Sequence, residues 1–158
     1  MGVNIDGVFF GVRALVPLIE ASGGGSIVVT ASIAGMTPLA RDPIYAMTKH
    51  AVVALVRSLA TDLATRGISI NAVCPGTVAT GMVPPAARAS LEGAGVHLLD
   101  PNDIADTVLS LVAPPLNGGG GTPSGARAAK VPTGQAVLHL WGRAPEPFRF
   151  SRFGEEQL

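Results

Sequence analysis

The stretch GGSIVVTASIAG (residues 24–35) contains the clearest strand signal in the sequence. Its centre, SIVVTA (26–31), is a short apolar run rich in β-branched residues, and glycines stand before and after it. That composition is typical of a buried strand. ISINAV (68–73) repeats the pattern, and GQAVLHLW (134–141) contains a third such run. The sequence therefore predicts strands at 26–31, 68–73 and 134–140.

Helical patterns lie before the first of these strands and between the others. Apolar residues recur at helical spacing up to about Glu20, which predicts a helix over 3–20, with Pro17 weakening its last turn. Further helices are predicted over 43–66 and 101–113, each with a proline in its first turn. Because helices alternate with strands, we expect right-handed crossovers and a parallel sheet, hence an α/β fold. The first two helices should cover one face of the sheet and the third helix the other face.

The remaining segments carry weaker signals. Residues 74–99 are expected to be irregular, with one short helical turn. Residues 115–132 form a low-complexity linker rich in glycine and proline. We interpret residues 1–141 as one domain that contains this linker, and we assign no structure to the tail 142–158.

The composition narrows the class of protein. The chain has 158 residues, 47% of them hydrophobic, and its eleven basic and eleven acidic residues cancel. This balance of charge gives the protein no net electrostatic attraction to nucleic acid or to an anionic membrane. One cysteine, Cys74, allows no internal disulfide and no cysteine metal site, which fits a reducing compartment. The longest apolar runs fall short of the ~20 residues that span a bilayer, and no secretory signal is recognisable. We therefore expect a cytoplasmic protein without a membrane segment.

Tyr45 and Lys49 stand four residues apart in the stretch YAMTKH (45–50) of the second predicted helix. Residues at that spacing share a helix face, so the phenol and the ammonium can point into the same space. A free tyrosine has a pKa of about 10, and an adjacent ammonium favours the phenolate, which would suit proton exchange with a substrate. Taken alone, the pair fits a solvated helix face at least as well.

The position of Ser32 in the sequence indicates where Tyr45 and Lys49 would lie in the fold. It follows strand 26–31 directly, and the loop after strand 68–73 opens on the same edge of the predicted sheet. In α/β proteins, ligands bind at the carboxyl ends of parallel strands. A hydroxyl, a phenol and an ammonium that meet there could polarise a carbonyl, pass it a proton and hold a sugar hydroxyl.

Five segments together resemble the short-chain dehydrogenase/reductase family. In the family's order and spacing they are VNIDGVFFGVRA (3–14), GGSIVVTASIAG (24–35), YAMTKHAVVALVRSLA (45–60), ISINAVCPGTVAT (68–80) and TGQAV (133–137). The resemblance implies part of a Rossmann-type, doubly wound parallel sheet, with about three strands in this chain. It also implies an oxidoreductase that uses NAD or NADP to move hydride between the cofactor and a small alcohol or ketone.

The resemblance further implies a catalytic set of four residues. Tyr45 would be the general acid/base and would also contact the cofactor. Lys49 would lower the pKa of the phenol and bind the nicotinamide ribose. Ser32 would hydrogen-bond the substrate oxygen. Asn4 matches the family's fourth residue and would hold a water that links the lysine to solvent, although an isolated asparagine there could also be a helix N-cap.

A loop beside the nicotinamide is implied as well. Pro75 and Gly76 would begin it, Val78 would contact the carboxamide through its backbone, and Thr80 would bond the carboxamide or a phosphate. Cys74, immediately before this loop, is interpreted as a small buried hydrophobic residue.

The family's glycine-rich phosphate turn, which follows its first strand, has no counterpart in the sequence. We therefore expect residues 1–158 alone to bind nicotinamide nucleotides weakly or not at all. Two hypotheses follow. The chain is the catalytic C-terminal part of an oxidoreductase whose N-terminal half is encoded upstream, or it is an inactive remnant that binds full-length relatives. In either case we expect a homo-oligomer or pairing through helices 3–20 and 43–66, which resemble the family's dimer surfaces.

Overall fold

The structure, a computed structural model, describes residues 1–112, 133–140 and 142–148. The predicted linker 115–132 lies outside these ranges, and so does the part of the tail from 149 to 158.

Helices and strands alternate along the described chain. The helices are α1 (Gly7–Ala21), α2 (Pro43–Thr65), α3 (Pro85–Gly93) and α4 (Pro101–Val112), and a π-helical turn (Gly2–Asp6) leads into α1. The strands are β1 (Gly25–Thr30), β2 (Ile68–Pro75), β3 (Ala136–His139) and β4 (Glu146–Pro147). The predicted strands and the three predicted helices are confirmed within a few residues at each end.

The four strands form one sheet in the order β1-β2-β3-β4. β2 is parallel to β1 and to β3, and the two-residue β4 is antiparallel to β3. Thr30 lies opposite Val73, and Pro75 lies opposite His139, so the three parallel strands end at the same edge. The α/β class is confirmed, with a mixed sheet of three parallel strands and one short antiparallel strand.

The helices cover both faces of this sheet, as predicted. α1 and α2 pack on one face, against a core that includes Val16, Val56, Ile70 and Ala136. α4 packs on the other face, where its buried Thr107 hydroxyl is 2.7 Å from His139 Nδ1 of β3. Every position of β2 is buried, as expected for a central strand that is covered on both faces.

Two elements differ from the sequence prediction. α3 is a nine-residue helix, where one short turn was predicted. It begins at a proline and continues through alanine, arginine, leucine and glutamate, which are good helix formers. β4 was not predicted, because a two-residue strand has no periodicity to detect. It extends the sheet through the Phe148 N–H, which donates to the Ala136 carbonyl at 2.8 Å, while Phe148 packs on the core.

β3 is shorter than predicted at both ends, spanning Ala136–His139 instead of 134–140. Gly134 has φ of +76°, which takes the chain out of the extended conformation just before the strand. A Cβ at Gly134 would lie 2.9 Å from Ala60 Cβ of α2. The glycine therefore permits a close approach of the turn before β3 to α2.

The first helical segment is unusually apolar. Gly2–Ala21 is 20 residues long and contains an 18-residue window with a mean hydropathy of 1.5, of which 11% is buried. By length and composition alone this helix could cross a membrane, although no uninterrupted apolar run within it has that length. Core helices of globular proteins can have the same length and composition, and here Val12 and Val16 are buried against the sheet.

Candidate active site

Lys49 is the central cation of the candidate site. It projects from α2 toward the carboxyl end of β1, and its ammonium donates to the Thr30 carbonyl at 3.1 Å. Partial burial lowers the pKa of Lys49 below its usual value, while the nearby Cys74 acts in the opposite direction. An ammonium has three donors, so two of them remain for other acceptors at this edge.

Tyr45 lies one turn earlier on the same helix. Its ring centre is 5.8 Å from the Lys49 ammonium nitrogen, which is within the range of a cation–π contact. The Asp42 carboxylate caps the helix by accepting the Tyr45 N–H at 2.9 Å. Among the described residues, no protein group forms a hydrogen bond with the phenol oxygen, so it is available to a ligand. The predicted pairing of Tyr45 with Lys49 is therefore present.

Ser32 lies just beyond β1, in extended backbone that leads into a short 3₁₀ turn, Ile33–Gly35. Its hydroxyl oxygen accepts the Ala34 N–H at 3.2 Å, which leaves the hydroxyl proton free to donate. Gly35 then passes very close to α2, because a Cβ there would lie 2.7 Å from the Lys49 carbonyl oxygen. The glycine thus lets the Ser32 loop pack against the turn that carries Lys49.

Cys74 lies close enough to the Ser32 backbone and to the Lys49 charge to be influenced by both, which the sequence analysis did not foresee. The thiol is fully buried at the end of β2. Burial raises its pKa to about 11, against smaller opposite effects of a hydrogen bond from the Ser32 backbone and of the Lys49 charge. Cys74 is a small buried residue, as predicted, and its thiol accepts a hydrogen bond from the Ser32 backbone.

Asn4 lies in the π-helical turn before α1. Its side-chain amide donates to the Thr48 hydroxyl at 3.1 Å, and that hydroxyl donates to the Tyr45 carbonyl at 2.7 Å. Asn4 is therefore joined to the turn of α2 between Tyr45 and Lys49. Thr48 was missed by the sequence analysis, although its place inside YAMTKH was a usable signal.

The loop after β2 is held by Leu99. The Leu99 N–H donates to the Thr77 carbonyl at 2.8 Å, and the Ala79 N–H donates to the Leu99 carbonyl at 2.9 Å. This short parallel bridge leaves the Val78 N–H without a protein acceptor among the described residues.

Gly76 continues the sheet, since its N–H donates to the His139 carbonyl at 3.0 Å. Pro75 ends β2, and Thr80 donates its N–H to the Val78 carbonyl at 2.8 Å.

A separate open groove lies on the α4 side of the sheet. Asp103, Asp106, Thr107, Ser110, His139, Arg143 and Pro145 line it. None of the predicted site residues lies there. Among the described residues, no group of three or more histidine, cysteine or acidic side chains is placed to hold a metal ion.

The comparison with known protein families decides the identity of this chain. The family model for short chain dehydrogenases matches residues 1–90. That match spans the turn with Asn4, the loop with Ser32, the helix with Tyr45 and Lys49, and the loop after β2. The chain belongs to the short-chain dehydrogenase family.

Curated relatives support this assignment. The chain is 44% identical over 88 residues to an uncharacterized NAD-dependent oxidoreductase of Mycobacterium tuberculosis, an alignment that covers 55% of this chain and 32% of the relative. It is 37% identical over 114 residues to the cyclohexanol dehydrogenase of an Acinetobacter species, covering 70% of this chain and 45% of the relative.

A solved short-chain dehydrogenase structure has the same fold. The 7α-hydroxysteroid dehydrogenase complexed with NADH and 7-oxo glycochenodeoxycholic acid aligns with a TM-score of 0.70 and 27% identity. The alignment covers 88% of this chain and 52% of that one. The alignments of this short-chain dehydrogenase chain thus cover 32% to 52% of the length of these three proteins.

Proposed function

We propose that this short-chain dehydrogenase chain carries the catalytic residues for hydride transfer between a nicotinamide cofactor and an alcohol or ketone. The observation that carries the proposal is the pairing of Tyr45 with Lys49, whose ammonium is 5.8 Å from the ring centre and is anchored at the carboxyl end of β1. Ligands of doubly wound α/β proteins bind at that edge. The unpartnered phenol and the Ser32 hydroxyl supply the remaining polar groups.

Each residue then has a chemical task. Tyr45 protonates the substrate oxygen during reduction and removes its proton during oxidation. Ser32 donates a hydrogen bond to the same oxygen and orients it. Lys49 stabilises negative charge on the phenol and keeps two donors for a ribose. Asn4, held against α2, would bind a water through which protons pass between Lys49 and solvent.

The residues around the end of β2 fit one part of a nicotinamide nucleotide. The free Val78 N–H suits an amide oxygen, the Thr80 hydroxyl is a further donor, and Pro75 and Gly76 form the turn that exposes them. NAD or NADP, when bound, supplies the hydride acceptor or donor. Lys49 and Val78 would orient its ribose and carboxamide, and the chain gives no reason to prefer one nucleotide over the other.

The loop that follows these residues supports a nonpolar substrate. Its sequence GMVPPAA (81–87) is apolar, and Met82 is 91% exposed. Binding pockets for small molecules are lined mostly by apolar side chains, and this loop follows directly on the residues proposed to hold the nicotinamide. Nonpolar secondary alcohols and their ketones are therefore the first substrates to test.

A second candidate function is that of an interaction module without catalysis. It is favoured by large apolar side chains that are exposed on two neighbouring helical segments, namely Val3, Phe10 and Leu18 at the start of the chain and Ile44 and Met47 on α2. Exposed apolar surface of this kind commonly marks a protein–protein interface. The chain would then pair with itself or with a longer relative through these helices.

One assay separates the two functions. The full-length product of the gene is incubated with NAD or NADP and a series of nonpolar secondary alcohols, and reduced nicotinamide is followed by absorbance. Turnover supports the proposed catalysis. Absence of turnover, together with a dimer that Phe10→Lys dissociates in light scattering, supports the interaction module instead.

A further inference from the structure

Thr48 lies between Tyr45 and Lys49 on α2 and is 3% exposed. Its hydroxyl donates to the Tyr45 carbonyl at 2.7 Å and accepts the Asn4 side-chain amide at 3.1 Å. The first bond uses the only hydroxyl proton, and the second uses a lone pair. One buried hydroxyl therefore joins two segments that are 44 residues apart in the sequence.

The segment that Thr48 contacts has little apolar packing to hold it. No residue of the π-helical turn Gly2–Asp6 is buried, and Val3 is 87% exposed. Burial of apolar surface is the main source of local stability in proteins, so a segment without it opens easily. The hydrogen bond from Asn4 to a buried partner therefore helps to fix this turn against α2.

We propose that Thr48 is a positioning residue whose hydroxyl holds the Asn4 amide against the turn of α2 that carries Tyr45 and Lys49. The inference rests on the proposed function, which gives those three residues their roles. Threonine suits this position because its hydroxyl bonds back to a carbonyl of its own helix, which fixes the direction of the remaining lone pairs. Valine has the same shape and forms neither bond.

The test compares four forms of the full chain: wild type, Thr48→Val, Thr48→Ser and Thr65→Val. Thr65 is a matched control, because it lies on the same helix and donates to the Asp62 carbonyl at the same 2.7 Å, without a long-range partner. NMR measures the water-exchange rate of the Asn4 side-chain amide and the titration of Lys49, which is one of only two lysines in the sequence. If Thr48→Val does not fold, Thr48→Ala replaces it.

In Thr48→Val we expect the Asn4 amide to exchange at least about tenfold faster, because its acceptor is gone. The Lys49 titration should move up toward the usual lysine value as water reaches the ammonium. Thr48→Ser and Thr65→Val should behave like wild type in both measurements. A Thr48→Val protein with wild-type exchange and wild-type Lys49 titration overturns the inference, whatever its melting temperature. The proposed function is tested by a separate result: it fails if the Tyr45→Phe protein retains turnover.

Discussion

The ammonium of Lys49 on α2 donates a hydrogen bond of 3.1 Å to the carbonyl of Thr30, the last residue of β1. A long and flexible side chain is thus fixed at the carboxyl edge of the sheet instead of extending into solvent. The same nitrogen lies 5.8 Å from the centre of the Tyr45 ring. This anchoring is what distinguishes the pair from a tyrosine and a lysine that merely share a solvated helix face.

Replacing Lys49 by methionine should change how stability depends on pH. Burial lowers the pKa of Lys49 in the folded chain from its usual 10.5, so between the two values the unfolded chain binds more protons. Lys49 therefore makes the free energy of unfolding rise with pH between its folded-state pKa and 10.5. Above 10.5 this rise ends, because the lysine is then neutral in both the folded and the unfolded chain. Urea unfolding of wild type and Lys49→Met at several alkaline pH values measures the difference. Identical pH profiles would show that the ammonium is fully solvated.

Cys74 should be almost inert to thiol reagents in the folded chain. Burial raises its pKa from 9.0 to about 11, which by itself reduces the thiolate fraction at pH 9 roughly fiftyfold. Alkylation by iodoacetamide should therefore be at least about fiftyfold slower in buffer than in denaturing urea. The rates are measured by mass spectrometry. Equal rates would mean that the end of β2 is open to solvent.

Gly35→Ala should destabilise the fold by about 1–3 kcal/mol, because its new Cβ would lie 2.7 Å from the Lys49 carbonyl oxygen. Gly11→Ala is the matched control. Gly11 lies inside α1, and a Cβ there has no atom within 4 Å, so alanine should stabilise the helix by about 0.5–1 kcal/mol. Urea unfolding gives both values. If Gly35→Ala is as stable as wild type, the Ser32 loop does not pack against α2 as described.

Residues 1–158 alone should bind NADH and NADPH weakly. Among the described residues, no glycine-rich turn leads from a strand into a helix, so these residues offer the pyrophosphate no backbone N–H groups of that kind. Lys49 and Thr80 can orient a nucleotide but do not replace that site. Nicotinamide fluorescence is titrated with the purified chain, with Lys49→Ala as control. Micromolar binding that Lys49→Ala weakens would contradict this prediction.

Much of the fold could be predicted from the sequence, because its strands have strong local signals. SIVVTA and ISINAV are compact β-branched runs, and the helix α2 between them begins at a proline and has regular apolar spacing. β4 could not be predicted, because its two residues are extended only through their pairing with β3 and the packing of Phe148 on the core. α3 was underestimated: one short helical turn was expected within 74–99, whereas Pro85 begins a nine-residue helix.

The candidate site was less accessible to sequence reasoning. The spacing of Tyr45 and Lys49 indicates a shared helix face, but it cannot show that the ammonium reaches the Thr30 carbonyl. The contacts of Thr48 with Asn4 and of Cys74 with the Ser32 backbone join residues that are tens of positions apart. Such contacts depend on how the elements pack, which local patterns do not encode.

The most direct test of the central claim is the turnover of Tyr45→Phe in the full-length protein with a nonpolar secondary alcohol as substrate. Tyr45 is the only tyrosine of this chain, and phenylalanine removes the phenol oxygen while keeping the ring beside Lys49. We predict that kcat falls at least about a hundredfold, the usual contribution of a general acid/base. The dissociation constant for the nicotinamide nucleotide and the melting temperature should stay close to wild type. A Tyr45→Phe protein that retains near-normal kcat would contradict the account, because the proton would then come from another group.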